Sequence, residues 1–238
     1  MSITGTDKEN PVKSGIPIAD LGAGLYAVIG ILSAIQSREK NDSGEHVDIS
    51  MLDTQVSLLT YMATMHFLSG ENPEPIGNQH MNHVPFNSYR TLDGFIQIGV
   101  VAEDFWPSLI EALDLRQLDT EENKVRIGRL KNRENIDEAL QEVFITNTTE
   151  HWLKILQEHR VPCGPINTLS ETFEDADLLK RNMIVEVLQD SGASVKMPGN
   201  PVKISNHDEE FRRSPKLGEH TAEIFKSWLD KDISVDQD

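Results

Sequence analysis

The sequence of 238 residues contains a single cysteine, Cys163, and few basic residues. One thiol cannot form an intramolecular disulfide or a cysteine zinc cluster, and this favours a reducing compartment. There are 22 Lys and Arg residues against 39 Asp and Glu, so the formal net charge is −17. An acidic chain of this kind repels the phosphate backbone of nucleic acids and anionic membrane surfaces, and we expect it to bind neither.

Long apolar runs are also missing. No eighteen consecutive residues are apolar, and residues 1–17 carry neither the basic nor the apolar segment of a secretory signal. We therefore predict a soluble, cytoplasmic protein, or a mitochondrial one if an import segment precedes Met1. The length is sufficient for one large domain or two small ones, although the hydrophobic share of 38% is low and indicates a core that something else completes.

The first seventy residues show two changes of periodicity. Residues 15–20 are typical of a short strand, and apolar residues spaced by three and four predict a helix over 21–38. Residues 46–49 alternate like a second strand. Residues 50–53 have the pattern of a capping box that opens a helix to about residue 68. The predicted order is β-α-β-α.

A loop rich in proline and glycine, residues 69–85, follows and marks a domain boundary. An Asp-Gly turn at residues 91–94 then predicts a hairpin. The remaining predicted elements are helices at 104–113, 133–144, 148–159 and near 169–175, a second hairpin at 184–188 and 195–197, and a final helix at 219–229.

Asp20 is the first candidate for chemistry because it lies where the predicted strand meets the predicted helix. Free backbone N–H groups and the positive end of the helix dipole stabilise an anion there, so the carboxylate could act as a nucleophile. An ordinary helix N-cap explains Asp20 equally well on local grounds. Gly22 and Gly24 would let a ligand approach, but they form no dinucleotide-binding fingerprint.

The second candidate is the polar loop containing Gly77, Asn78, Gln79 and His80. Such a loop can close over a substrate, or it can be a surface connection whose residues merely favour turns. His80 and His83 have no third ligand at a fixed spacing, so no metal site is expected. Cys163 is interpreted as a small structural thiol.

Residues 15–32, GIPIADLGAGLYAVIGIL, closely resemble the class III coenzyme A transferases, the family of formyl-CoA transferase and carnitine CoA-transferase. The resemblance continues in order along the chain. Its further segments are VDISMLD at 47–53, Gly77-Asn78 with His80, TLDG at 91–94, VP and GPIN on either side of Cys163, and LGEHT at 217–221.

The resemblance implies an α/β fold, the remainder of a Rossmann-like large domain with an inserted small α+β domain. Residues 1–75 would belong to the large domain, 76–177 would form the small domain, and 178–238 would return to the large one. Met1 matches an internal position of the family. We therefore expect a C-terminal portion that lacks the first Rossmann strands, from a full-length protein that forms an interlocked homodimer.

The resemblance also implies a reaction in which Asp20 is the covalent nucleophile. Asp20 would attack an acyl-CoA thioester to give an anhydride, CoA would return to form an aspartyl-CoA thioester, and a small carboxylic acid would finally take the CoA. Gly77, Asn78, Gln79 and His80 would bind substrate, and no cofactor or metal would be permanently bound. The alternatives are an α-methylacyl-CoA racemase-like enzyme and an inactive truncated paralogue that acts only as a partner subunit.

Overall fold

The computed structural model of the chain describes residues 1–230. By its internal contacts the chain divides into two compact units, Met1–Ile166 and Asn167–Asp238. The three-part division expected from the sequence stays a prediction, and residues 231–238 of its last part lie outside the described residues.

Helix α1, Ile18–Asn41, begins after Pro17 and ends at Asp42, which adopts a left-handed conformation. One face of α1 is packed closely by small residues. A Cβ on Gly22 would lie 3.0 Å from the Thr54 methyl group, and one on Gly30 would lie 2.8 Å from a Val47 methyl group. The glycines therefore allow residues 47 and 54 to approach the helix axis.

The rest of α1 is apolar and exposed. Leu21, Leu25, Val28, Leu32 and Ile35 are between 41% and 68% exposed. An 18-residue window of α1 has a mean hydropathy of 1.9, so by length and composition the helix could cross a membrane. A single helix of this kind is weak evidence for a membrane, and the expectation of no membrane partner stays a prediction.

The predicted β-α-β-α order of the first seventy residues is wrong. This stretch contains α1, α2 (Met51–Leu58) and α3 (Tyr61–Ser69), and within the described chain neither 15–20 nor 46–49 pairs as a strand. A strand needs a paired neighbour for its N–H and C=O groups, and no described strand pairs with either segment. The predicted second helix is also divided, since Thr60 has a φ of 49°. Its start is confirmed because the Ser50 hydroxyl accepts from the Asp53 N–H at 3.2 Å.

A three-stranded antiparallel sheet follows, with the order β1 (Phe86–Arg90), β2 (Phe95–Gly99) and β3 (Cys163–Pro165). The predicted hairpin is confirmed, with Phe86 opposite Gly99 and Arg90 opposite Phe95. The sequence did not predict β3, which pairs with β2 through only three residues.

Four helices pack with this sheet around one core. They are α4 (Phe105–Leu113), α5 (Arg126–Lys131), α6 (Arg133–Phe144) and α7 (Thr149–Glu158), which confirms the three longer helices predicted for this stretch. Phe144 is fully buried, stacks edge-on against Trp152 with 5.5 Å between ring centroids, and accepts the Trp152 indole N–H at its carbonyl oxygen. This aromatic contact fastens α7 to the end of α6.

The second unit contains α8 (Leu169–Glu174), α9 (Ala176–Lys180), the antiparallel pair β4 (Ile184–Leu188) and β5 (Ser194–Pro198), and α10 (Thr221–Leu229). The second predicted hairpin is confirmed. Thr168 and Glu171 form a reciprocal capping box at the start of α8. An ion cluster joins Asp190 and Glu219 to Arg213 and Lys216.

Candidate active site

Asp20 is the third residue of α1 and lies in the first turn of this 24-residue helix. Pro17 is the N-cap residue and no side chain caps the helix, so the interpretation of Asp20 as an N-cap is wrong. The Asp20 side chain is exposed, and within the described residues it has no hydrogen-bond or ion-pair partner. The carboxylate is thus available at the positive end of the helix dipole.

Asp20 lines an open cavity of about 550 Å³. Three segments form its wall: residues 1–4, residues 13–20, and Gln55, Leu58 and Leu59 at the end of α2. Lys13 is the basic residue among those that line it, so an acidic and a basic residue border the same cavity. This arrangement can bring a nucleophile to an acyl carbon and neutralise negative charge that develops beside it.

The loop residues Gly77, Asn78 and Gln79 line a different cavity, of about 520 Å³. Gly77 has a φ of +63°, a conformation that favours glycine. The Asn78 amide donates to the Ser88 hydroxyl at 2.6 Å. Asp20 is not part of this lining, so the structure does not bring the predicted nucleophile and the predicted loop into one cavity.

The N-terminal segment lies between the two cavities. Residues 1–4 line the cavity of Asp20, whereas Thr6 lines the cavity of the loop. The Gly77 N–H donates to the Gly5 carbonyl at 2.8 Å, and Lys8 pairs with Glu74 at 3.5 Å. Sequence reasoning missed this segment and Lys13, whose only signal is an isolated base seven positions before Asp20.

The end of the loop is held by side chains. The Gln79 amide donates to the Asp137 carboxylate at 3.4 Å, and Arg133 donates to the His80 carbonyl at 2.7 Å. The His80 Nδ1 accepts the Asn82 N–H at 3.0 Å, which places the proton of a neutral ring on Nε2. Partial burial, followed by the charges of His83 and Arg133, lowers the pKa of His80 and favours that neutral ring.

Neither metal binding nor thiol chemistry finds support at these positions. Within residues 1–230 no group of three His, Cys, Asp or Glu side chains is placed to hold a metal ion. His80 and His83 have ring centroids 4.7 Å apart. Burial raises the pKa of Cys163, so its sulfur stays a thiol at neutral pH, as expected of a structural cysteine.

Residues 1–221 match the model of CoA-transferase family III. The human succinyl-CoA:glutarate CoA-transferase is 30% identical over 231 residues, which are 96% of this chain and 53% of that protein. The succinyl-CoA:mesaconate CoA-transferase of Haloarcula marismortui is 32% identical over 94% of this chain and 57% of its own. The acetyl-CoA:oxalate CoA-transferase of Acetobacter aceti is 29% identical over 96% and 58%. The chain spans about half the length of these curated relatives.

Solved structures show the same fold. A CAIB/BAIF family protein from Brucella suis superposes with a TM-score of 0.78 and 30% identity, over 94% of this chain and 58% of that one. The Rv3272 protein of Mycobacterium tuberculosis gives a TM-score of 0.76 at 19% identity, over 90% of this chain and 57% of its own, and this shows a likeness of fold alone. These likenesses confirm the predicted α/β class.

Proposed function

The chain belongs to CoA-transferase family III, and we propose that it carries the nucleophile of an enzyme that moves coenzyme A from an acyl-CoA thioester to a carboxylic acid. One observation carries the proposal. Asp20 presents an exposed carboxylate from the first turn of α1 into an open cavity that Lys13 also lines. A carboxylate in this position is accessible to a thioester, and it lies beside the positive end of the helix dipole.

The proposed reaction balances with Asp20 and the two substrates alone. The Asp20 carboxylate attacks the acyl carbon, which forms an acyl-aspartyl anhydride and releases CoA thiolate. The thiolate attacks the aspartyl carbonyl, which frees the first carboxylic acid and leaves an aspartyl-CoA thioester. The acceptor carboxylate attacks this thioester, and the released thiolate then attacks the acceptor carbonyl of the new anhydride and regenerates Asp20.

Lys13 and the first turn of α1 would stabilise different negative charges in this reaction. The N-terminal backbone N–H groups of α1 stabilise the Asp20 carboxylate before and after turnover. The ammonium group of Lys13 attracts a carboxylic acid that would otherwise be repelled by Asp20. In this way a chain of net charge −17 can still accept an anionic substrate at one place.

We extend the acceptor to a small dicarboxylic acid. The relatives described above are named for glutarate, mesaconate and oxalate, and each of these acids has two carboxylates. The second carboxylate of such an acid stays charged throughout the reaction and needs a cation, and Lys13 can supply it. Gly77, Asn78, Gln79 and His80 are proposed to contact substrate once their cavity and that of Asp20 are bridged. An interlocked homodimer in the cytoplasm completes the proposal.

A partner-subunit role is favoured by a separate observation, the exposed apolar side chains of α1. Leu25 and Leu32 are 68% and 60% exposed, more than a helix of a self-sufficient domain usually leaves in water. The exposed side chains support association with a partner, both for an inactive paralogue that acts only as a subunit and for a chain that contributes Asp20 to a larger assembly.

The experiment is covalent trapping on the native protein. We would incubate it with succinyl-CoA or acetyl-CoA and a dicarboxylic acid, reduce with borohydride, and map the modified peptide by mass spectrometry. The expected modification is at Asp20 and is lost in Asp20→Asn. Asp53→Asn is the matched control, because Asp53 is exposed at the same third position of α2 but lies outside the cavity of Asp20. Turnover without a modification at Asp20 would exclude it as the nucleophile.

A further inference from the structure

Residues 80–84, which begin at the last residue of the proposed substrate loop, are held by three arginines. Three arginines of α5 and α6 each donate a side-chain N–H to a backbone carbonyl of this segment. The pairs are Arg133 with His80 at 2.7 Å, Arg126 with Asn82 at 3.2 Å, and Arg129 with Val84 at 2.8 Å. Every second carbonyl of the segment is thus bound by a guanidinium group.

The three arginines differ in what else they do. Arg129 is 1% exposed, and it also bonds the Asn123 carbonyl and the Glu103 carboxylate. Its loss would leave buried carbonyl groups unpaired and would strongly destabilise the unit. Arg133 is only partly buried, and within residues 1–230 its side chain makes one hydrogen bond, to the His80 carbonyl. Arg133 can therefore be changed without dismantling the core.

Two further residues on the same face of α6 also bind this part of the chain. Asp137 and Gln141 follow Arg133 at steps of four residues and so lie on one side of the helix. The Asp137 carboxylate accepts hydrogen bonds from Gln79 and from Tyr89. Gln141 accepts the Arg90 N–H and donates to the Arg90 carbonyl, both at 2.9 Å. This polar stripe binds the chain from residue 79 to residue 90.

The part of the loop before residue 79 has no such attachment to α6. The backbone of Gly77 is bound instead to Gly5 of the N-terminal segment, and its φ of +63° is one that a single glycine can leave and regain at little cost. The attachment to α6 begins at Gln79 and His80, where Gln79 bonds Asp137 and Arg133 bonds the His80 carbonyl.

We propose that Arg133 is a positioning residue that fixes the C-terminal end of the Gly77–His80 loop on α6, so that Asn78 and Gln79 are presented to substrate while movement is confined to the glycine end. This inference rests on the proposed function for its consequence in catalysis. The attachment itself does not depend on any activity, and it can be measured separately.

The test compares Arg133→Met, which keeps the aliphatic stem and removes the donors, with Arg133→Lys, which restores a charged donor. Hydrogen exchange of the native protein is expected to become about tenfold faster at the amides of residues 77–83 in Arg133→Met. The rest of the first unit should be unchanged, and Arg133→Lys should recover most of the protection. Arg116→Ala, which removes an exposed arginine paired with Asp114, is the control and should change nothing in this segment.

Two further readouts separate positioning from general stability. The KM for the acceptor acid should rise about tenfold in Arg133→Met with kcat nearly unchanged, since only the presentation of the loop is altered. By NMR, the pKa of His80 should rise in Arg133→Met, because one of the charges that lower it is gone, and stay low in Arg133→Lys.

Unchanged exchange at residues 77–83 in Arg133→Met would overturn the inference, whatever the kinetics. Faster exchange with an unchanged KM would overturn the claim that this loop presents side chains to substrate. A wild-type protein without transferase activity would contradict the proposed function alone, and the exchange experiment would still decide whether Arg133 holds the loop.

Discussion

The hydrogen bond between Tyr89 and Asp137 gives the sharpest prediction for stability. The Tyr89 hydroxyl donates to the Asp137 carboxylate at 2.5 Å, and the Tyr89 side chain is 2% exposed, so water cannot replace the carboxylate. A hydrogen bond to a charged group contributes about 1.5–3 kcal/mol to folding. A double-mutant cycle of Tyr89→Phe and Asp137→Ala should therefore give a coupling free energy of about 2 kcal/mol.

The free energy of unfolding of each variant is measured by urea unfolding, followed by tryptophan fluorescence. Burial, and then the charge of Asp137, raise the pKa of Tyr89 well above its usual value, so the phenol stays protonated and the coupling should be constant from pH 7 to pH 9. Gln79→Ala with Asp137→Ala is the control cycle. The Gln79 amide donates to Asp137 over 3.4 Å from a partly exposed position, so the coupling free energy of this control pair should be below about 0.5 kcal/mol. A Tyr89 coupling as small as that of the control would refute the reasoning.

Two other predictions concern packing and pH. Gly128→Ala should strongly lower the melting temperature, because the added Cβ would overlap the Glu122 carbonyl oxygen. Gly24→Ala, where no atom beyond the local helix backbone lies within 4 Å of the added Cβ, should leave stability unchanged or raise it by about 1 kcal/mol. Equal effects of the two substitutions in thermal melts would contradict this packing. Hydrogen bonds from Arg213 lower the pKa of Glu219 to about 2, so Glu219 stabilises the folded form above its ordinary pKa of 4.5. That stabilisation should disappear as the pH falls from about 4.5 to about 2, with less pH dependence in Glu219→Gln melts.

The small sheet and its helices could be predicted from sequence because their signals are local and their core is complete within the chain. An Asp-Gly turn at Asp93 and Gly94 specifies the hairpin, and the apolar spacing of α6 and α7 matches the side chains that are buried, among them Leu140 and Leu156. Strand β3 escaped prediction because Gly164 and Pro165 leave almost no alternation to read.

The first seventy residues were predicted less well for a physical reason. Residues 15–20 and 46–49 have the composition of strands, but a strand exists only beside another, and none of the described strands pairs with either segment. The local pattern at Asp20 fitted a helix N-cap or a nucleophile, and the N-cap position of Pro17 excludes the first interpretation. The resemblance to a family implied a catalytic role for Asp20, and the structure adds that Asp20 lines an open cavity.

Contacts between side chains and distant backbone could not be predicted. Arg133 lies 53 residues from His80, and Arg129 lies 45 residues from Val84. No periodicity encodes a bond from a guanidinium group to a carbonyl at such separations. Lys13 was missed for a related reason, since it lies in an irregular segment where a single base has no pattern around it.

The exposed apolar stripe of α1 begins next to Asp20, the proposed nucleophile. Its residues, from Leu21 to Ile35, recur at steps of four and three, the spacing that packs along another helix or a sheet. Lipid is a poor occupant, because the segment already packed on α1 carries Glu45, which accepts a hydrogen bond from Ser37 on the helix, and Asp48. The apolar stripe of α1 and the acidic segment beside it are both compatible with contact to the surface of another protein. Because Asp20 directly precedes the first residue of the stripe, a partner that covers it also reaches the rim of the open cavity. Under the proposed function, a partner at this rim would also limit the access of water to the aspartyl anhydride.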